Sequence, residues 1–88
     1  MKACILVQTR FEESIGIIDV LRNRYSKFFL QGSSVYGWYD AIVELEIPNI
    51  DKLSEITEEL KQSQPDITHI ETIVERTEDF QPFFQKAV

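Results

Sequence analysis

Ser33-Ser34-Val35-Tyr36-Gly37-Trp38-Tyr39-Asp40 gathers the sole tryptophan, two of the three tyrosines, a glycine and a carboxylate into eight residues. Two chemistries suit that set. As a hairpin turn, Gly37 supplies permissive backbone angles, Asp40 bonds the turn amides, and Trp38 and Tyr39 pack across strands. As one wall of a small-ligand pocket, Asp40 and turn backbone groups hold a polar, zwitterionic head while the aromatic rings cover an apolar side chain. Trp and Tyr also anchor protein interfaces, so the two roles merge if the pocket lies between subunits.

Elsewhere the reactive inventory is thin. His69 is the only histidine and has no second imidazole with which to hold a metal. Near the start of an alternating strand it reads as a surface or hydrogen-bonded residue rather than an acid-base catalyst. Cys4, the only cysteine, cannot close an intrachain disulfide. It lies in an apolar run without a flanking base or cation to favour a thiolate, so it reads as a small buried hydrophobe. Glu12/Glu13 and Glu58/Glu59 are neighbours on helices, where adjacent side chains point apart; they form solvated faces, not paired carboxylates. Glycine-rich phosphate loops and the GxSxG elbow are absent, which removes the parts needed for nucleotide, phosphoryl and serine-hydrolase chemistry. No catalytic residue, metal or cofactor is expected.

Positioning the aromatic segment requires elements on both sides of it. Ala3 to Val7 is apolar on both alternating faces, as expected of a central strand. From Glu12 the period changes, and Phe11, Ile15, Ile18, Leu21 and Tyr25 recur at helical spacing, predicting a helix over Glu12 to Arg24 with Glu12 and Glu13 at its positive end. Gly16 within it costs about 1 kcal/mol relative to alanine, so either a close packing contact compensates or the helix is locally weak. Phe28 to Tyr36 and Ala41 to Ile47 read as strands at hairpin spacing. In the first, Gly32, Ser33 and Ser34 permit a bulge or a close backbone approach. In the second, Ala41, Val43, Leu45 and Ile47 face one way, and Ile42, Glu44 and Glu46 the other. Pro48 ends that strand and Asn49 caps a second helix over Ile50 to Gln62, with Ile50, Leu53, Ile56 and Leu60 as its apolar stripe. Gln64-Pro65-Asp66 breaks the helix, and Thr68 to Arg76 reads as a fourth strand.

Strand, helix, strand, strand, helix, strand specifies the α+β ferredoxin-like βαββαβ fold, an antiparallel four-stranded sheet with two helices on one face. Eighty-eight residues suffice for one such domain and no second. The other sheet face then needs a cover. Residues 78–88 carry Phe80, Phe83 and Phe84, each forgoing roughly 1.5 to 3 kcal/mol of burial if left in water. An obligate homo-oligomer, at least a dimer, with this tail packed on the domain or on a partner subunit, is the expected arrangement. Fifteen acidic against nine basic residues give a net charge of −6, a field that repels phosphate backbones and anionic lipid at long range. Neither direct nucleic-acid binding nor membrane association is expected, and one cysteine without a signal-like segment points to the cytoplasm.

The opening Lys2-Ala3-Cys4-Ile5-Leu6-Val7, the Tyr36-Gly37-Trp38-Tyr39-Asp40-Ala41-Ile42-Val43 turn and strand, the Pro48-Asn49-Ile50-Asp51-Lys52-Leu53 helix start and Pro65-Asp66-Ile67 resemble the effector-binding (RAM) domain of Lrp/AsnC transcription regulators. The resemblance spans residues 2 to 77, and its most specific element is the Gly-x-Tyr-Asp turn before an apolar strand. It implies a dimeric α+β barrel, formed when two chains pair their sheets, and rings of such dimers. It also implies an amino-acid or similar small effector bound where dimers meet, with Tyr36, Gly37, Tyr39, Asp40 and Thr72 at the effector site. Asp66 stands where the family has a glycine, and Ile70 where it often has a threonine. The family's N-terminal helix-turn-helix domain is missing, so the chain resembles the stand-alone members, whose partners would include full-length Lrp/AsnC regulators.

The function implied is an effector-binding and oligomerisation module working by linkage: an effector that fits one assembly state better shifts the population toward it. Asp40→Ala is then expected to weaken binding without unfolding the protein. The alternative is a small enzyme of the same barrel architecture, of the cofactor-free monooxygenase or isomerase type, which would show titratable side chains inside the barrel. An ACT-type amino-acid-binding domain shares the strand order but pairs its sheets edge to edge.

Overall fold

The computed structural model describes residues 1–10 and 13–76. The chain runs β1 (Lys2–Thr9), α1 (Ser14–Arg24), β2 (Phe29–Ser34), β3 (Ala41–Glu46), α2 (Ile50–Ser63) and β4 (Ile67–Val74). All strand pairings are antiparallel, in a four-stranded sheet of order β2-β3-β1-β4. Ile17, Ile18 and Leu21 of α1 and Leu53, Ile56 and Leu60 of α2 share one core with Ala3, Ile5 and Val7 of β1 and Ala41, Val43 and Leu45 of β3. Both helices therefore cover the same sheet face, and the fold is the ferredoxin-like α+β arrangement that the element order predicts. Among the described residues, no helix is long and apolar enough to cross a membrane.

β1 is central because both its faces are apolar. Ala3, Ile5 and Val7 are buried under the helices, while Cys4, Leu6 and Gln8 are half-covered on the open face. Cys4 is thus half-buried rather than fully enclosed, opposite Glu44 and Ile73. Partial burial, reinforced by the Glu44 charge, pushes its thiol above the usual range, which keeps it protonated and unreactive at neutral pH.

α1 departs from the predicted stripe. It starts at Ser14, with Glu13 at the cap position making no side-chain capping bond, while Phe11 and Glu12 lie outside the described residues. Its buried face is Ser14, Ile17, Ile18 and Leu21, and Ile15 is 70% exposed. The helix is rotated so that Ile17 rather than Ile15 meets the sheet, a choice that periodicity alone does not make when apolar residues crowd positions 15, 17 and 18. Gly16 has no close packing neighbour, since an added Cβ would meet only Glu13 Oε2 at 3.6 Å. No close packing contact compensates for this glycine.

Gly32 is the opposite case. An added Cβ would lie 2.8 Å from Ile18 Cγ2, so the absence of a side chain lets α1 seat directly on β2. The same strand shifts register between Phe29 and Gln31, ahead of the small residues Gly32, Ser33 and Ser34, which pair regularly with β3. In α2 the Asn49 side chain accepts from Lys52 N–H at 2.9 Å, the predicted cap. Ile50 is exposed because it occupies the first helical residue, before the helix reaches the sheet. The tail, residues 78–88, lies outside the described residues.

Candidate functional site

Two niches flank the β2–β3 hairpin tip. β2 and β3 close through Val35 N–H donating to Asp40 O at 3.0 Å, leaving Tyr36 to Tyr39 as the loop. Gly37 adopts φ +120°, a conformation that L side chains rarely take, although an added Cβ would meet nothing within 4 Å. The loop carries Tyr36 fully exposed and Trp38 83% exposed. Trp38 therefore does not pack across strands as expected: its loop projects beyond the paired region, where no opposing strand can receive the ring. Tyr39 does fold back. Its hydroxyl donates to Glu71, and its ring stacks on His69 with centroids 6.2 Å apart.

Asp40 does not bond the turn amides. Its Oδ2 accepts the Thr9 N–H at 2.7 Å and the Thr9 hydroxyl at 3.3 Å, while its own N–H donates to Val7 O at 2.8 Å. Thr9 Oγ1 in turn accepts from Glu13 N–H at 2.9 Å. A chain of bonds thus runs from the hairpin through the end of β1 to the start of α1. This arises because the β1–β3 register brings Ala41 opposite Val7, setting the preceding residue beside the point where β1 turns away. The Asp40 carboxylate is thus part of the frame that joins the hairpin to β1 and, through Thr9, to α1.

The first niche, about 390 Å³, is bounded by the α1 start (Ser14, Ile15), the end of β2 (Ser34, Val35) and the tip (Tyr36, Gly37, Asp40). The hydroxyls of Ser14 and Ser34 are hydrogen-bonded at 2.8 Å, which fixes two polar atoms in its wall. The second, about 360 Å³, is lined by Gln8, Trp38, Tyr39, Thr68 and His69. Of the residues implied by resemblance, Tyr36, Gly37 and Asp40 meet in the first niche and Tyr39 lines the second. Thr72 lines neither; it sits mid-strand opposite Ile5, on the far side of β1 from β3.

Sequence reading missed Ser14 and Ser34, whose meeting depends on how α1 seats on β2. It also missed the association of Gln8, His69 and Glu71. Their signal was present: His69 and Glu71 are two apart on one strand, and antiparallel pairing with β1 sets Gln8 opposite His69. The hydrogen bond to Glu71 raises the Tyr39 phenol above its ordinary value. Among the described residues, no group of three or more His, Cys, Asp or Glu side chains could hold a metal ion.

No protein-family model matches the sequence, and no curated protein does. Solved structures do match. A hypothetical protein, PHS023 from Pyrococcus horikoshii, is 25% identical with a TM-score of 0.66, covering 88% of this chain and 94% of its own. The protein FFRP-DM1 is 24% identical with a TM-score of 0.69, over 84% of this chain and 96% of its own. A 5-chloro-2-hydroxyhydroquinone dehydrochlorinase from Burkholderia phenoliruptrix AC1100, solved with 2,5-dihydroxybenzoquinone, is 11% identical with a TM-score of 0.62, over 86% and 94%. These likenesses agree on the ferredoxin-like fold, which serves the dehydrochlorinase as it serves FFRP-DM1, so function has to be argued from the sites.

Proposed function

We propose that this chain is an effector-binding and self-assembly module of the Lrp/AsnC type, taking an amino acid or a similar small zwitterion at the hairpin-tip niche. The observation that carries the reading is the first niche itself. Within it Asp40 supplies negative charge for an ammonium group, and whichever of the Ser14 and Ser34 hydroxyls accepts their shared bond, together with the Gly37 backbone, supplies donors for a carboxylate. Tyr36 stands fully exposed at the rim, placed to cover an apolar side chain or to meet another subunit. The likeness in fold to FFRP-DM1 fits the same reading.

The partner in this reading is a second copy, docked on the open sheet face as in a dimeric α+β barrel. That face carries Cys4, Leu6 and Ile42, all half-covered, and Ile73, exposed. A lone domain has no third layer for them. Dimers then associate through their tips, and full-length Lrp/AsnC regulators are further partners. The chain performs no catalysis and binds no nucleic acid itself.

Light scattering with and without each of the twenty amino acids tests the proposal. A mass of at least a dimer that changes with one amino acid, and no longer changes in Tyr36→Ala, is the expected result. A monomer unmoved by any of them overturns it. The enzyme reading is favoured by one observation, the contact of Tyr39, His69 and Glu71 at the sheet's open face, and it requires turnover of a substrate that disappears in His69→Ala.

A further inference from the structure

We propose that Thr9, which lines neither niche, is the positioning residue of the hairpin-tip site. Its hydroxyl ties the acid of the first niche to the start of α1 and so sets which spacing of ammonium and carboxylate the niche accepts. The inference rests on the reading of that niche as a site for an amino acid or a similar zwitterion.

Thr9 stands in the row of β1 that faces the helices, after Ala3, Ile5 and Val7. Packing alone favours valine there, which has nearly the same shape and the β-branched side chain that suits a strand. A hydroxyl is present instead, out of reach of most water: Thr9 is 8% exposed and Ser14 9%, and these are the buried polar residues among the described residues. Both belong to this corner of the molecule. Ser14 is in the niche wall, and Thr9 is bonded to the residue just before it.

A hydroxyl has one proton to give and lone pairs with which to accept. A backbone N–H only donates and a carboxylate only accepts, so the direction of both bonds at Thr9 Oγ1 is fixed. Glu13 N–H donates to it at 2.9 Å, and it donates to Asp40 Oδ2 at 3.3 Å. The Thr9 N–H reaches the same Oδ2 at 2.7 Å. Both bonds from Thr9 end on Oδ2, so an ammonium group can be met by Oδ1 without breaking either. At the other end of the bridge, Ser14 follows Glu13 and shares a 2.8 Å bond with Ser34. One oxygen therefore couples the charge that would meet an ammonium group to the hydroxyls that would meet a carboxylate. In an α-amino acid those two groups sit on one carbon, and a small displacement of either wall is felt as mismatch.

Thr9→Val keeps the shape and the backbone N–H but removes the hydroxyl, whereas Thr9→Ser keeps the hydroxyl. Each of the twenty amino acids is titrated against the light-scattering mass. The one that responds is compared with its β-homologue, in which one more methylene separates ammonium from carboxylate. Thr9→Val is expected to need about fivefold more amino acid for half the mass change, and to lose about threefold of the preference over the β-homologue. Thr9→Ser is expected to restore both to within about twofold of the unsubstituted protein. Circular dichroism and urea midpoints verify folding, and Thr9→Ala repeats the comparison if Thr9→Val does not fold. A protein indifferent to all twenty overturns the reading of the niche and this proposal with it. In a protein that responds, three results overturn the proposal alone: Thr9→Val equal to the unsubstituted protein, the same weakening for both ligands, or Thr9→Ser as impaired as Thr9→Val.

Discussion

Asp40 and Tyr25 show how one side chain can be read correctly by type and wrongly by partner. The Gly37-Trp38-Tyr39-Asp40 turn was legible because its residue types have local conformational preferences. The partner of Asp40 was not, because Thr9 lies on another strand and only the β1–β3 register joins them. Asp40→Ala leaves the Thr9 N–H without its charged acceptor and is expected to lower stability by about 1–3 kcal/mol, read as a lower urea midpoint at unchanged slope. Tyr25, predicted as one more apolar-stripe position, is half-buried with its hydroxyl enclosed and without a hydrogen-bond partner in the structure described. Burial first, then the nearby Glu59 carboxylate, pushes its phenol up to about 12 from 10.0. The folded state therefore holds this proton more tightly than the unfolded chain. Its contribution to stability is complete below pH 10 and is lost as pH rises toward 12. Tyr25→Phe is expected to flatten that alkaline decline in melting temperature.

At the scale of elements, two glycines make opposite predictions. Gly16→Ala meets ordinary contact distance only and is expected to stabilise by about 0.5–1 kcal/mol through helix propensity. Gly32→Ala drives a methyl group into the enclosed Ile18 and is expected to cost about 1–3 kcal/mol. Thermal denaturation of the two variants checks both signs. Every strand and helix was legible from period and punctuation, because alternation at Ala41 to Ile47 and the Pro48-Asn49 signal are local. The rotation of α1 was not, since Ile15, Ile17 and Ile18 are chemically equivalent and only packing on the sheet, including the seat of Ile18 on Gly32, selects among them. The first niche inherits that limit: its Ser14 and Ser34 wall exists only once the helix has turned Ser14 inward.

For the whole molecule the open sheet face is the feature with the largest predicted effect. Ile73 lies beside Cys4 on that face, exposed, at the edge strand β4. Under the proposed pairing of sheets, Ile73→Lys sets a charge against the partner's apolar surface. It is expected to shift the light-scattering mass to that of a monomer while circular dichroism is unchanged; an unchanged oligomer would place the contact elsewhere. The sheet order has a further consequence, in time rather than space. β1 precedes β3 and β4 in the chain yet lies between them in the sheet, and Ala3 pairs with both Leu45 and Val74. The β2–β3 hairpin closes locally and early, whereas β1 meets β3 only across α1 and β2, and β4 only across every element between them. Loop closure over such separations slows these pairings, so the amides shared between β1 and β4 are expected to gain protection from hydrogen exchange later than those of the β2–β3 hairpin as the protein folds.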